Sequence, residues 1–110
     1  MHHNERGNMI TEITTYKLAQ GVTHDEFISA SKIFDRNYCA RCKGLISRHF
    51  VKTEDGYMDI FQWESKVAVE NVKATFMQDS DALEFAKLLD SKTLTMHSYE
   101  VLNFYEANQK

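Results

Sequence analysis

The sequence predicts an α+β domain of the ferredoxin-like kind: strands and helices in the order βαββαβ, an antiparallel four-stranded sheet with two helices on one face. Three observations carry this reading. Runs rich in β-branched and aromatic residues alternate with two segments of helical periodicity. Glycines and short polar clusters fall at the junctions between them. No proline, repeat or low-complexity stretch marks an internal linker in the 110 residues.

Residues 1–8, MHHNERGN, are polar and patternless and are set apart as disordered or as an appended segment. The domain is placed at residues 9–105, with 106–110 as a tail. MITEITTYKL, Met9 to Leu18, reads as the first strand, and Gly21 turns the chain. Thr23 and Glu26 have the spacing of a capping box, in which hydroxyl and carboxylate each satisfy a free backbone N–H. On the helix that follows, Phe27, Ala30, Phe34, Tyr38 and Cys42 form one apolar stripe, and Gly44 supplies the left-handed residue that ends it.

Leu45 to Thr53, then Glu54-Asp55-Gly56, then Tyr57 to Glu64 read as strand, tight turn, strand. Ser65 caps a second helix with Val69, Val72 and Phe76 on one face. Beyond Gln78-Asp79-Ser80 the apolar phase moves to Phe85, Leu88 and Leu89, so this helix is expected to break and restart. Thr93 to Tyr105 is the last strand. With both helices on one side, Met58, Ile60 and their neighbours leave an apolar sheet face open, and a homodimer is the expected cover.

Composition narrows the function classes. Lys and Arg number 13 against 16 Asp and Glu, a net charge of −3 with no block of like charge, which argues against nucleic acid as a partner. No apolar run approaches the ~20 residues of a membrane helix, and no signal segment opens the chain, so no membrane partner and a cytoplasmic location are expected. Two cysteines are too few for a disulfide framework.

Those cysteines form a Cys-x-x-Cys, Cys39 and Cys42. A reactive pair of this spacing opens a helix, where the dipole stabilises a thiolate; this pair closes one. A structural zinc needs four ligands, and His49 as nearest candidate brings the count to three. Packing is therefore the expected role, and no metal is expected. A redox or metal protein is kept as an alternative only because the spacing exists.

The stretches MITEITTYKLAQG, YMDIFQWESKVAVENV, FMQDSDALEFAKLLD and TMHSYEV together resemble the antibiotic biosynthesis monooxygenase family, over nearly all of residues 9–105. Trp63-Glu64-Ser65, at the junction of third strand and second helix, is the most diagnostic part. The resemblance implies a dimeric α+β barrel, a tryptophan bordering a pocket between sheet and helices, and cofactor-independent oxygenation of quinol-like or polycyclic aromatic substrates. The haem-degrading proteins of this fold use an asparagine on the first strand and a histidine on the second helix. Met9 to Leu18 has no Asn and residues 67–89 no His, which argues against that branch.

On this reading Trp63, Phe34, Phe76 and Tyr99 bind a small aromatic or apolar ligand, and His97 and Asp59 accept its proton. Asp59 alternates with Tyr57, Phe61 and Trp63, so it either faces solvent at an edge or sits paired in a polar pocket. Arg48 and His49 point to opposite faces, so at most one joins a pocket, and Glu12 is a possible partner for either. No Gly-rich phosphate loop is present, and no cofactor is expected. The competing reading is a non-catalytic dimeric protein that binds a small ligand.

Overall fold

The computed structural model describes residues 8–108; residues 1–7 of the N-terminal segment and 109–110 of the tail lie outside the described residues. The strands are β1 (Ile10–Tyr16), β2 (Leu45–Lys52), β3 (Tyr57–Trp63) and β4 (Thr95–Glu100). They form one antiparallel sheet in the order β2-β3-β1-β4, so β3 is inserted between the two strands that α1 connects. The helices are α1 (His24–Asn37), α2 (Lys66–Phe76) and α3 (Ser80–Ala86).

Two expected boundaries move, and the expected break in the second helical segment is present. The stripe on α1 stops at Asn37, and Cys39–Arg41 forms a separate 3-10 turn. The second helical segment is two helices, because the Asp79 side chain accepts from the N–H groups of Asp81 and Ala82 and starts α3 afresh. The last strand ends at Glu100 rather than Tyr105: past Val101 the chain leaves the edge of the sheet, and Leu102, Phe104 and Tyr105 are exposed. The Thr23–Glu26 capping box forms in full. No helix among the described residues is long and apolar enough to cross a membrane.

Strand alternation sends Glu12, Thr14 and Tyr16 of β1 and Tyr57, Asp59, Phe61 and Trp63 of β3 to the face under the helices. Phe27 and Phe34 of α1, Tyr38 just past its end and Phe85 of α3 meet them, with the Phe34 and Phe85 rings stacked 4.0 Å apart. The other face carries Ile13, Met58 and Ile60, and among the described residues no helix or strand covers it.

Gly44 joins the two layers. Its φ is +84°, and a Cβ there would lie 2.5 Å from the Ala68 Cβ on the first turn of α2. A side chain is excluded twice over, by the left-handed backbone and by the helix. Gly21, φ +89°, has nothing within 4 Å of the same position. Gly21→Ala should therefore cost only the backbone strain, roughly 1 kcal/mol, whereas Gly44→Ala should cost clearly more, about 2–4 kcal/mol. Urea unfolding of both variants checks this, and equal losses would mean that α2 shifts freely away from residue 44.

Candidate functional site

A cavity of about 760 Å³ lies between the sheet and the helices. Its walls are built where aromatic residues of α1 and its C-cap, α2 and β3 converge: Phe34, Tyr38, Phe61, Trp63 and Phe76. Exposed Met77, Leu83, Leu94 and Met96 mark its mouth between the α2–α3 junction and β4. Inside, the polar groups are few. Glu12, Thr14 and Asp59 come from the sheet floor, and Cys39 and Cys42 from the 3-10 turn.

Asp59 is buried and engaged on both oxygens. Oδ1 accepts from Arg48 Nη2 at 2.8 Å and Oδ2 from the Tyr16 hydroxyl at 3.1 Å. Burial pushes the Asp59 carboxyl above the ordinary range, and the Arg48 guanidinium pulls it back. Burial also raises the Tyr16 phenol, with Asp59 adding to the effect.

Arg48 reaches this position through a β-bulge. Leu45 pairs with Trp63 but Ser47 with Gln62, so one extra residue sits in β2. Leu45, Arg48 and Phe50 thereby all face the helices, and His49 faces away. The Arg48 side chain is 4% exposed, its guanidinium 5.0 Å from the Phe34 ring centre and 5.3 Å from that of Phe85. Nη1 donates to Ser31 Oγ and to Asp35 Oδ1, both at 2.8 Å, and Nε has no partner among the described residues. The sequence left open which of Arg48 and His49 turns to the pocket and did not pair Arg48 with Asp59. The signal was available, because an acid set among aromatics on a core strand requires a cation, and Arg48 stands on the adjoining strand.

Trp63 is 3% exposed, and its indole N–H donates to Glu12 Oε1 at 3.2 Å. Glu12 is the second carboxylate that the sequence did not single out as a site residue. Phe34, Asp59, Trp63 and Phe76 thus come together in one cavity. His97 and Tyr99 do not. In the β1–β4 register His97 pairs with Ile13 and Tyr99 with Thr11, residues that alternate away from Glu12 and Thr14. Both side chains lie on the open sheet face, and their expected place in the pocket is corrected on that ground. The β4 residue turned to the cavity is Met96.

The two cysteines are half-buried free thiols on the cavity wall. Burial pushes the Cys39 thiol up to about 12, and burial raises Cys42 as well. This is the opposite of the low-pKa setting that makes a thiolate nucleophile. Arg41, between them, donates to both Asp79 oxygens at 3.0 and 3.2 Å and to Asp81 at 3.0 Å, tying the 3-10 turn to the start of α3 over the cavity.

No protein-family model matches the chain, and no curated protein matches it. Solved structures do. SnoaB, a cofactor-independent oxygenase from Streptomyces nogalater, superposes with a TM-score of 0.69 at 16% identity, over 89% of this chain and 97% of that one. A Caulobacter crescentus protein provisionally assigned as an antibiotic biosynthesis monooxygenase gives 0.69 at 14% identity, over 89% and 93%. A dimeric protein of ferredoxin-like fold from Bacteroides fragilis gives 0.56 at 11% identity, over 84% and 96%. At these identities the likeness shows a shared fold.

The ion pair at the cavity floor can be weighed by a mutant cycle. Arg48→Met leaves Asp59 buried without its cation and should cost about 3–5 kcal/mol in urea unfolding. Combining it with Asp59→Leu should restore at least ~1 kcal/mol, because no unpaired charge remains. Strict additivity of the two single losses would show that the pair is not coupled.

Proposed function

We propose that this protein is a small oxygenase of the antibiotic biosynthesis monooxygenase type that takes an electron-rich hydroxyaromatic substrate, quinol-like or polycyclic, beside Trp63. The observation that carries this reading is the cavity: about 760 Å³, lined by aromatic residues of both the helices and the sheet, with a buried tryptophan held by a buried carboxylate on its floor. That volume suits a drug-sized ligand of several rings. The likeness to SnoaB in fold supports the reaction class.

A hydroxyaromatic of this class supplies its own electrons to dioxygen. One oxygen atom bonds a ring carbon, and the other leaves as water with the two hydrogens lost from substrate. The protein's part is to hold the ring, accept a hydroxyl hydrogen and keep bulk water out while oxygen reacts. Phe34, Phe76 and Trp63 are the walls in this reading. Asp59, with both oxygens engaged, fixes the cavity floor through Arg48 instead of taking the substrate proton itself. That engagement, and the position of His97 on the opposite face, favour one competing reading, in which the cavity binds such a ligand without turning it over.

A second copy is proposed to cover the open sheet face. Ile13, Met58 and Ile60 lie at its centre, and the register sets His49, Ile60, Ile13 and His97 in one row across four strands. Light scattering at micromolar concentration should give twice 12.8 kDa. Ile60→Lys should shift the mass toward the monomer, and a monomeric parent protein would remove this part of the proposal.

The chain has a single Trp, so binding is read directly. A menadiol-type naphthohydroquinone should quench Trp63 fluorescence saturably. Trp63→Phe, followed by calorimetry, should weaken binding roughly 10-fold, the scale of one aromatic contact of ~1.4 kcal/mol. Dioxygen should be consumed above the uncatalysed rate. Quenching with no oxygen uptake would leave the binding reading, and absence of quenching would overturn both.

A further inference from the structure

The cavity holds two carboxylates in unlike states. Asp59 is matched by a guanidinium and a phenol, so its acceptor capacity is spent within the protein. Glu12, 6% exposed, has one protein partner, the Trp63 indole at 3.2 Å, and among the described residues no cation reaches it. A carboxylate offers about four acceptor sites, and one with a single neutral protein donor leaves the others open to whatever enters the cavity. Glu12 lines the cavity, so a further donor can come from a ligand.

The donors available to a ligand are scarce by comparison. The Trp63 N–H is turned to Glu12. Arg48 is outside the lining, with its Nη groups on Asp59, Asp35 and Ser31. Lys73 and Lys87 are exposed residues at the mouth. The hydroxyls of Thr14 and Tyr38 act in either sense. Around Trp63 the one charged group on the wall is therefore an acceptor, and the donors in reach of a ligand are neutral hydroxyls and the weaker thiols of Cys39 and Cys42.

We infer that Glu12 is the specificity-determining residue of this cavity, taking a ligand's phenolic O–H and so selecting donor-bearing aromatics over isosteres that only accept. In a quinol and quinone pair the reduced form carries the O–H groups, and the oxidised form would set a carbonyl oxygen against the carboxylate. The cavity thus retains the hydroxyaromatic and releases the quinone. This rests on the proposed binding of hydroxyaromatics and adds to it the residue and the sense of the discrimination.

The test uses two ligands of one skeleton that neither oxidise readily nor react with thiols: 2-naphthol, a donor, and 2-methoxynaphthalene, an acceptor only. Each is titrated against the purified protein by calorimetry, with Trp63 fluorescence alongside. The naphthol should bind about 10- to 100-fold more tightly, the range for a hydrogen bond to a charged group. In Glu12→Gln the amide still accepts from Trp63 and can also donate, so the ratio should fall to about 3-fold or less, mainly through a gain by the ether. Thr14→Val should leave the ratio within about 3-fold of the parent.

Equal binding of the two ligands to the parent protein would overturn the inference while leaving aromatic binding intact. So would an unchanged ratio in Glu12→Gln, or a collapse of the ratio in Thr14→Val alone. Binding of neither ligand would overturn the proposed binding of hydroxyaromatics and this inference with it. The parent comparison needs no variant, so a Glu12→Gln protein that fails to fold does not shield the inference.

Discussion

A guanidinium buried among phenylalanines must be matched charge for charge, and the helix side of this fold is arranged around that requirement at Arg48. Its Nη groups reach Asp59 on β3, Ser31 and Asp35 on α1, and its central carbon lies over the rings of Phe34 on α1 and Phe85 on α3. Three layers of contact are thus set by one side chain. Tyr16 closes the group from β1 by donating to the remaining Asp59 oxygen. The desolvation cost of such a pair is recovered only with good geometry, which ties the position of α1 over the sheet to the register of β2.

That arrangement decides what the two floor carboxylates can do. Glu12 and Asp59 stand on neighbouring strands and face the same side, Glu12 opposite Phe61 and Asp59 opposite Thr14. Asp59 lies near the bulged strand and is neutralised by it. Glu12 lies toward the β4 side, opposite Ser98, where no cation is supplied. The same residue chemistry gives a structural group at one position and an acceptor open to the cavity at the other. Trp63 connects the second of these to the cavity wall through its one polar atom.

The cysteines illustrate how position outweighs spacing. Cys39 and Cys42 keep the separation of a redox pair, but they follow the C-terminal end of α1, where the helix dipole disfavours a negative sulfur, and burial raises both thiols. Arg41 between them is drawn outward to Asp79 and Asp81, so its charge holds the cavity roof at the α3 start. Cys39 and Cys42 then serve as small apolar wall atoms of the cavity.

Local chemistry was legible from the sequence wherever it acts over a few residues. The Thr23–Glu26 box, the left-handed Gly44, the Glu54–Gly56 turn and the break at Asp79 each follow from a backbone demand met by the side chain present. Period-two alternation likewise placed Asp59 on the face of Phe61 and Trp63, and with it the candidate cavity floor. Alternation fails where an insertion changes its phase. The bulge between Leu45 and Ser47 leaves no mark in residue type, so the choice of Arg48 over His49 as the inward residue was decided by pairing with β3. His97 and Tyr99 failed for a related reason. A strand's own pattern says which residues share a face but not which face meets the helices, and only the pairing of His97 with Ile13 settles that. The buried ion pair joins residues 11 apart and the contact of Glu12 with Trp63 residues 51 apart, and the strand order brings together β1 and β4 from the two ends of the domain. They exist only once the sheet has assembled, since each depends on which strands become neighbours.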